Sequence, residues 1–487
     1  MKRLWCVTVI AMAAAACRHA PPAINGVAPV PAAPNEHWSP PASVTSAAAS
    51  DKASAGPTVA IDPSKPLTLG EVVDIALRNS PVTRLSWTQA RAAANTYGSV
   101  EGRYYPTLTA GLGYGRSQSV ATPGRPAGER SQYGPTLSIA YTVLDFGGRS
   151  GSIDVARQTA VAADLTHNAT VENTILLVET AAFDYLSTRA LRDAAKADLE
   201  QATLALDAAT ERRRVGLATV ADVLQAKTAR SQAELALQTL EGSLMVTRGG
   251  VAVAMGLPAN TPFDMPEIST SDSVHFVAQS VDSLIDMAVQ SRPELATARA
   301  QAQAAQSQIR VAKSSTLPVL AFSGNGAQNG SDAPGFGGRT YAVNFGISVP
   351  VFNGFSNHYD VAAANEQYQA ALARAAATKQ QVIQQVFTAY YTLRTSTDRV
   401  RTSRDLLASA TQSETVARER YREGVGSIVD LLIAQSALAN ARAQSVNARW
   451  QWRAALAQLA HDVGVLNARG DTSFAPLRPS QDVRPEK

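Results

Sequence analysis

Two very long segments of this chain contain neither glycine nor proline, and they limit what it can fold into. The segments cover residues 152–215 and 355–423. At 1.5 Å per residue the first would form a helix of roughly 95 Å, much longer than an ordinary globular helix. Gly216 and Gly424 follow directly, as expected of C-terminal caps. Aromatic residues make up only 6% of the chain, whereas alanine is abundant and suits helices that pack closely along their length.

A return helix is predicted after each long segment, over residues 219–241 and 427–463. On the second, small and apolar side chains recur with alternating spacings of three and four, which is typical of a coiled-coil seam. The predicted seam consists of Val429, Leu432, Ser436, Ala439, Ala443, Val446 and Trp450. The first return helix shows a looser version through Leu224, Thr228, Ser231 and Leu235. We therefore predict two long antiparallel coiled hairpins.

The chain repeats one plan at a spacing of about 210 residues, which indicates an internal duplication. Four landmarks recur in the same order: residues 79–81 with 291–293, 105–108 with 317–320, 145–148 with 351–354, and 211–226 with 419–434. We predict a first repeat over 67–260, a linker over 261–280 and a second repeat over 281–470. In each repeat a short helix (69–79; 281–290) and a second helix (82–103; 294–315) precede two strands. The coiled hairpin follows, over about 150–255 and about 355–463.

The predicted strands cover residues 104–115, 132–144, 317–329 and 341–352, and none carries a charge. Each has about the length that a tilted strand needs to cross the hydrocarbon layer of a membrane. Residues 136–143 alternate small or polar with large apolar side chains, as in a barrel wall between lipid and water. The strands pair into two hairpins, 104–144 and 317–352, through exposed loops at 117–131 and 330–339. Tyrosines at 104, 105, 133 and 141 lie where an interfacial aromatic belt would be.

Four strands cannot close a barrel, and open sheet edges are not tolerated in lipid. Several chains must therefore share one barrel, and three chains would supply twelve strands. The alternative is a soluble sheet that caps a helical bundle. The lack of charge in the strands and the export signal described next favour the membrane.

The amino terminus has the features of an export signal, predicted over residues 1–16. Lys2 and Arg3 precede an apolar run over 4–16 that is too short to span a bilayer. The run ends in Ala-Ala-Ala before Cys17, which resembles the lipobox of bacterial lipoproteins, although Ala14 stands where leucine is usual. In that pattern Cys17 is lipidated after cleavage. An aspartate directly after the cysteine would retain the protein at the inner membrane, so Arg18 at this position favours the outer membrane. The alternative is an ordinary signal peptide. Residues 17–66, rich in Pro, Ala and Ser, are predicted to be a flexible tether, and 471–487 a flexible tail.

Several functional classes find no support in the sequence. The net charge of +4 is small for 487 residues and gives no reason to expect nucleic acid as a partner. The six histidines are scattered without metal-ligand spacing. No glycine-rich phosphate loop follows a strand and opens a helix. We therefore expect neither an enzyme nor a bound metal or cofactor.

The duplicated order of helices, strand hairpin and long coiled hairpin resembles the outer-membrane factor family, the TolC-like efflux ducts, over about residues 67–465. The most specific residues are the two Gly-x-x-[Thr/Ser]-x-x-Asp tips, at 216–222 and 424–430, and Asp-Phe-Gly-Gly at 145–148. The resemblance implies a mainly α fold with transmembrane β, four strands per chain. It implies a homotrimer with a twelve-stranded barrel in outer-membrane lipid and a helical tube across the periplasm. A periplasmic adaptor (membrane fusion) protein and an inner-membrane pump would be its partners, and small molecules its cargo.

The tips carry the candidate gate. If they converge on the axis, three copies each of Asp222 and Asp430 would favour cations at the constriction. The resemblance also places Asp222 in a closing hydrogen-bond set with Tyr421 and an arginine, but that arginine's position holds Gly426. A neighbouring arginine, 420 or 422, could substitute. The alternative for both aspartates is helix capping, since Thr219 and Ser427 each precede one by three residues.

The resemblance further assigns adaptor docking to the turns at the tips. The residues concerned are Val215, Gly216, Leu217, Gly424 and Val425. The alternative is simple termination of a helix by glycine.

Three other functions stay open at the level of sequence. The first is a duct of the same fold that serves protein secretion of the type I kind. The second is a non-conducting periplasmic coiled-coil scaffold. The third, which the missing motifs disfavour most, is a lipoprotein enzyme.

Overall fold

The structure, a computed structural model, describes residues 61, 65–120, 123, 128–266, 279–332 and 337–466. The predicted signal peptide, Cys17, nearly all of the tether, residues 267–278 of the predicted linker, and the tail lie outside the described residues. The first half contains α1 (Leu69–Asn79), α2 (Pro81–Glu101), β1 (Thr107–Ser119), β2 (Gly128–Leu144), α3 (Gly148–Arg214) and α4 (Val220–Ala254). The second half contains α5 (Val281–Ser291), α6 (Pro293–Ser314), β3 (Val319–Ser331), β4 (Gly338–Ser348), α7 (Ser356–Arg422) and α8 (Ile428–Val463).

The two long helices, α3 and α7, have 67 residues each, which corresponds to roughly 100 Å. Each packs antiparallel along its return helix, so the two predicted coiled hairpins are confirmed. Helix α8 also packs against α3 and joins the hairpins, while α2 and α6 lie against α3 and α7. Helix α4 continues to Ala254, beyond its predicted end at 241, because Gly242 has open space around it and is tolerated as an exposed helical residue.

The buried stripe of α8 lies one or two residues away from the predicted seam. The buried positions are Ile428, Leu431, Ala434, Leu438, Ala441, Ser445, Ala448 and Trp452. Of the predicted seam, Val429 is exposed, and Leu224 and Leu235 are exposed on α4. Small side chains fill both neighbouring registers of these helices, so spacing alone could not select the register that faces α3 and α7.

All four strands form one antiparallel sheet in the order β1-β2-β3-β4, and the β2–β3 pair joins the two halves. Residues directly opposite each other share a face of a sheet. By this register, Leu108, Leu137, Ile139, Tyr141, Phe322, Tyr341, Val343, Phe345 and Ile347 lie on one face. The other face carries mainly Thr, Ser, Asn, Ala and Gly, with Arg130 near the end of the β1–β2 pair. Strands β1 and β4 are the two edges, and neither edge is paired within the chain.

The prediction of entirely uncharged strands was wrong at one end of the sheet. β1 and β2 run 13 and 17 residues, more than the hydrocarbon layer needs. The extra length contains Arg116 and Glu129, which form an ion pair across the two strands. Arg339 is the second residue of β4. β4 ends at Ser348, before the predicted 352, and Pro350 beyond it has no N–H for a strand ladder.

Each return helix ends against the corner between the two short helices of its own half. In the first half Gly256 has a φ of 74°, and a Cβ there would lie 2.9 Å from the carbonyl carbon of Asn79. In the second half Gly464 has a φ of 77°, and a Cβ there would lie 2.8 Å from Ser291 Oγ. The duplication therefore preserves a glycine at each of these contacts.

The surroundings of the two corners differ in chemistry. The first half is closed by apolar residues, with Met255 and Met265 fully buried. In the second half Arg292 is buried, and its Nη1 lies 3.2 Å from Asp462 Oδ1. Its Nη2 donates to Gln385 Oε1 at 2.9 Å. Burial by itself would raise the pKa of Asp462. Hydrogen bonds with the His461 ring and from the Gln458 amide outweigh burial and hold this pKa below its ordinary value.

Within the described parts of the chain, none of the helices combines the length and the apolar character needed to cross a bilayer.

Candidate functional site at the hairpin tips

The turns at the two tips have the same backbone structure. In the first, the Gly216 N–H donates to Arg213 O at 3.0 Å and the Leu217 N–H donates to Arg212 O at 2.8 Å. In the second, the N–H groups of Gly424 and Val425 donate to the carbonyl oxygens of residues 421 and 420. Both glycines have left-handed φ angles, 81° and 83°, which only glycine adopts at little cost. The tips are therefore fixed short turns.

Both candidate gate aspartates serve as helix caps. Asp222 Oδ2 accepts the Thr219 N–H at 2.7 Å and its hydroxyl at 2.9 Å, and the Asp222 N–H donates to the hydroxyl oxygen at 3.2 Å. The Asp430 N–H likewise donates to Ser427 Oγ at 3.1 Å, and the carboxylate accepts the Ser427 N–H. The capping alternative is thus present at α4 and α8. Since neither aspartate is buried, the same carboxylates remain available to solvent.

Tyr421 lies where the two hairpins meet. It is 6% exposed and packs with Ala205, Ala209, Ala226, Ile428 and Leu431, which come from α3, α4 and α8. Its hydroxyl has no hydrogen-bond partner among the described residues. Burial raises the pKa of Tyr421; the Arg212 guanidinium opposes this shift and the Asp222 carboxylate adds to it.

Arg212 adds a further contact between the two hairpins at their tips. Its guanidinium carbon is 4.4 Å from the centre of the Tyr421 ring, a cation–π contact. Its Nη2 donates to Arg422 O at 3.1 Å. Asp222 makes its hydrogen bonds to Thr219 and makes none to Tyr421. Sequence reasoning missed Arg212, although the matched segments 211–226 and 419–434 align it with Arg420.

The position of the expected arginine, Gly426, is tightly packed. A Cβ there would lie 3.1 Å from Arg420 Cβ and from Tyr421 N, so a larger residue would require a small shift of α7. Arg420 lies beside Asp430 in the groove between α7 and α8. Arg422 pairs with Glu419 at 3.6 Å. Neither arginine bonds to Asp222 in the structure.

The outer surface of the tips is apolar. Leu217 is 75% exposed and Val425 is 70% exposed, and Val215 is also exposed. Beside them, a groove of about 370 Å³ opens between α3, α7 and α8. Apolar Leu204 and Leu431 line this groove together with the charged Arg418.

Comparison with known proteins gives the family. The family model described as outer membrane efflux protein matches residues 72–257 and 284–465, which covers both halves of the duplication. Protein CyaE of Bordetella pertussis is 27% identical over 383 residues, 78% of this chain and 80% of that protein. The probable efflux pump outer membrane protein TtgC of Pseudomonas putida is 24% identical over 409 residues, 82% of each.

The fold has relatives among solved structures. The outer membrane protein VceC of Vibrio cholerae superposes with a TM-score of 0.73 at 20% identity, covering 81% of this chain and 96% of that one. The CmeC outer membrane channel of Campylobacter jejuni gives 0.75 at 16% identity, covering 83% and 87%. These likenesses confirm the predicted fold class. With both repeats matched, this chain is an outer-membrane protein and belongs to the outer membrane efflux protein family.

Proposed function

We propose that the chain is one of three identical subunits of a passive outer-membrane exit duct for small molecules, such as drugs, toxic compounds or metals. An adaptor and an inner-membrane pump would open it at the tips. The observation that carries this proposal is the sheet, which has one mainly apolar face, one mainly polar face and two edges unpaired within the chain. Closing those edges with copies of the same chain satisfies every edge group and places the apolar face in lipid.

The helices support the same assembly. Helix α4 packs mainly on α3 and leaves Leu224, Leu235 and Val246 exposed. Helix α7 leaves Leu406 and Val416 exposed. Exposed apolar residues along whole helices favour contact with a further subunit. The first predicted seam would then face a neighbouring subunit.

The tips would hold the gate. In a trimer, three copies each of Asp222 and Asp430 would surround the periplasmic end, and carboxylate rings favour cations. At the tips, the contact of Arg212 with Tyr421 would hold the gate closed, in place of a bond between Asp222 and Tyr421. The exposed Leu217 and Val425, with Val215, Gly216 and Gly424, would form the docking surface for the adaptor.

Conductance across planar bilayers tests the duct. Arg212→Ala should raise the conductance of reconstituted trimers, because it removes the cation–π contact between the hairpins at their tips. Asp430→Asn should lower the cation preference, and Glu234→Gln on the outside of α4 is the matched control. Purification as a detergent-free monomer, or an absence of conductance in every variant, would refute the duct and favour the scaffold.

Membrane attachment is a separate part of the proposal. Cys17 would be acylated after removal of residues 1–16, with 17–66 as the tether. Incorporation of labelled palmitate into wild-type protein, and its loss in Cys17→Ala, tests this. One acyl chain binds a membrane only marginally, so Cys17→Ala should still insert through the barrel.

A further inference from the structure

The corner where the second hairpin ends contains a buried arginine that serves acceptors on three helices. Arg292 lies between α5 and α6 and is 4% exposed. Its Nε is 2.9 Å from Glu294 Oε2 on α6, and its Nη1 is 3.2 Å from Asp462 Oδ1 on α8. Its Nη2 donates to Gln385 Oε1 on α7 at 2.9 Å. Each of the three guanidinium nitrogens therefore already has an acceptor.

The end of α8 is tied to its neighbours on two sides. On one side, His461 Nε2 is 3.0 Å from Asn173 Oδ1 of α3, while its Nδ1 is 3.0 Å from Asp462 Oδ1. On the other side, the Ser291 hydroxyl donates to Val463 O at 2.6 Å. Both ring nitrogens of His461 are therefore engaged as well.

Glu172 brings one more carboxyl group to this corner without a partner for it. It precedes Asn173 on α3 and lies within reach of the charges of Glu294, His461 and Arg292. Its Oε2 is buried and has no hydrogen-bond partner among the described residues. Because the nitrogens of Arg292 and His461 are directed at other acceptors, an ionised Glu172 would be an uncompensated charge, which is strongly unfavourable. A protonated carboxyl, which is neutral, fits this position.

The surrounding charges act on Glu172 in opposite directions. Burial raises the pKa of Glu172 from 4.5 to about 7, and the Glu294 carboxylate adds to this shift, whereas His461 and Arg292 oppose it. Asp462 of α8 is a further carboxylate at this corner, and α7 contributes a neutral amide. Glu172 is only partly buried, so its proton can exchange with solvent. The group therefore gains or loses its proton close to neutral pH.

The duplicated helix does not have this carboxyl. The long helices α3 and α7 have the same length, and the residue of α7 that matches Glu172, counted from the start of each helix, is Gln380. Gln380 is neutral and exposed. The titratable group is thus a property of α3, at the place where α3 meets the end of the other hairpin.

We propose that Glu172 makes the second corner a proton-sensitive anchor for the second hairpin. With its proton, the carboxyl is a neutral neighbour of the groups that hold the end of α8. When the proton leaves to solvent, the carboxylate repels Glu294 and competes with Glu294 and Asp462 for Arg292, and the end of α8 loosens. This device adds a response to pH at the middle of the chain, far from the gate proposed at the tips.

Hydrogen exchange of the purified protein in detergent tests the anchor. The amides followed are those of residues 459–466, where the Gly464 and Val465 N–H groups donate to the carbonyl oxygens of His461 and Ala460. Rates at about pH 6 and pH 8.5 are each divided by the rate of the unstructured peptide at the same pH. Because the pKa is raised in the closed corner, the contribution of Glu172 is complete below about 4.5 and is lost as the pH rises through about 7.

If opening restores the ordinary pKa of Glu172, the corrected exchange rate should rise about tenfold between these two pH values. Glu172→Gln should remove the rise. Glu179→Gln is the matched control, because Glu179 lies two turns further along α3 and only burial raises its pKa. This control should keep the tenfold rise at the corner.

Glu294→Gln should move the rise to lower pH, because the Glu294 carboxylate is one of the groups that hold the Glu172 pKa up. A rise that persists in Glu172→Gln would overturn the proposal and assign the response to His461. The absence of any rise in the wild-type protein would overturn it too. Should Glu172→Gln fail to fold, Glu294→Gln decides, since a rise that stays at the wild-type pH contradicts a role of Glu172.

Discussion

Glu179 lies on α3 with a carboxyl group that is 2% exposed, and its replacement by glutamine should stabilise the protein in a pH-dependent way. Burial raises the pKa of Glu179 from its ordinary 4.5 to about 7. A shift of one unit in the pKa corresponds to about 1.36 kcal/mol. The ionised carboxylate of Glu179 therefore destabilises the folded state by about 3 kcal/mol per chain. Glutamine has the same shape without the charge.

The sign of the effect follows from the raised pKa. Below about pH 4.5 the carboxyl is neutral in both folded and unfolded chains, so the folded protein has its full stability and bears no cost of a buried charge. Between that pH and about 7 the Glu179 carboxyl ionises in the unfolded chain but stays protonated in the folded one. The folded protein therefore loses stability as the pH rises, until it too has ionised above the folded-state pKa. Glu179→Gln should therefore match wild-type protein near pH 4 and exceed it by about 3 kcal/mol per chain near pH 8.5.

Denaturation in detergent, followed by circular dichroism at about pH 4 and pH 8.5, measures the difference. Glu241→Gln, on the exposed face of α4, is the matched control and should leave the gap between the two pH values as in wild-type protein. An equal loss of stability at both pH values would refute the reasoning, because it would mean that the Glu179 carboxyl makes a hydrogen bond that glutamine cannot replace.

Four further substitutions test other parts of the structure. Gly256→Ala should lower the free energy of unfolding by at least about 1 kcal/mol, because Gly256 has a positive φ and a Cβ there would clash with the backbone of Asn79. The control, Gly242→Ala on the exposed side of α4, should raise the free energy of unfolding by up to about 1 kcal/mol. Arg292→Met should lower the free energy of unfolding by about 3 kcal/mol, because it leaves Asp462 buried without its cation. If chemical denaturation shows the variant to be as stable as the wild-type protein, the ion pair does not stabilise this corner. Thr219→Ala should remove about 1 kcal/mol of capping, seen as faster amide exchange confined to the first turn of α4.

Glycines and prolines at the ends of elements made much of the fold readable from the sequence. Gly216 and Gly424 end the long helices where expected, because the left-handed turn there requires glycine. Gly242 does not end α4, because a glycine in an exposed helix with open space around it only weakens the helix. The seam was misplaced by one or two residues because neighbouring registers of α8 carry side chains of similar size.

The contacts at the tips were less predictable than the tips themselves. Capping by Asp222 and Asp430 followed from spacing, and the structure has both boxes. The contact of Arg212 with Tyr421 joins residues 209 positions apart, and three successive arginines precede the first tip. Spacing cannot say which of the three turns toward the second hairpin, because that depends on the rotation of α3 against α7.

The unlike corners of the two repeats have a consequence for how the assembly responds to its surroundings. The first hairpin ends on the buried Met255, and apolar packing weakens on cooling. The second ends on Arg292 and Asp462, and acid removes the charge on which that pair depends. In the proposed ring of three chains the two kinds of anchor would alternate, so cold would loosen the first hairpin of each chain and acid the second.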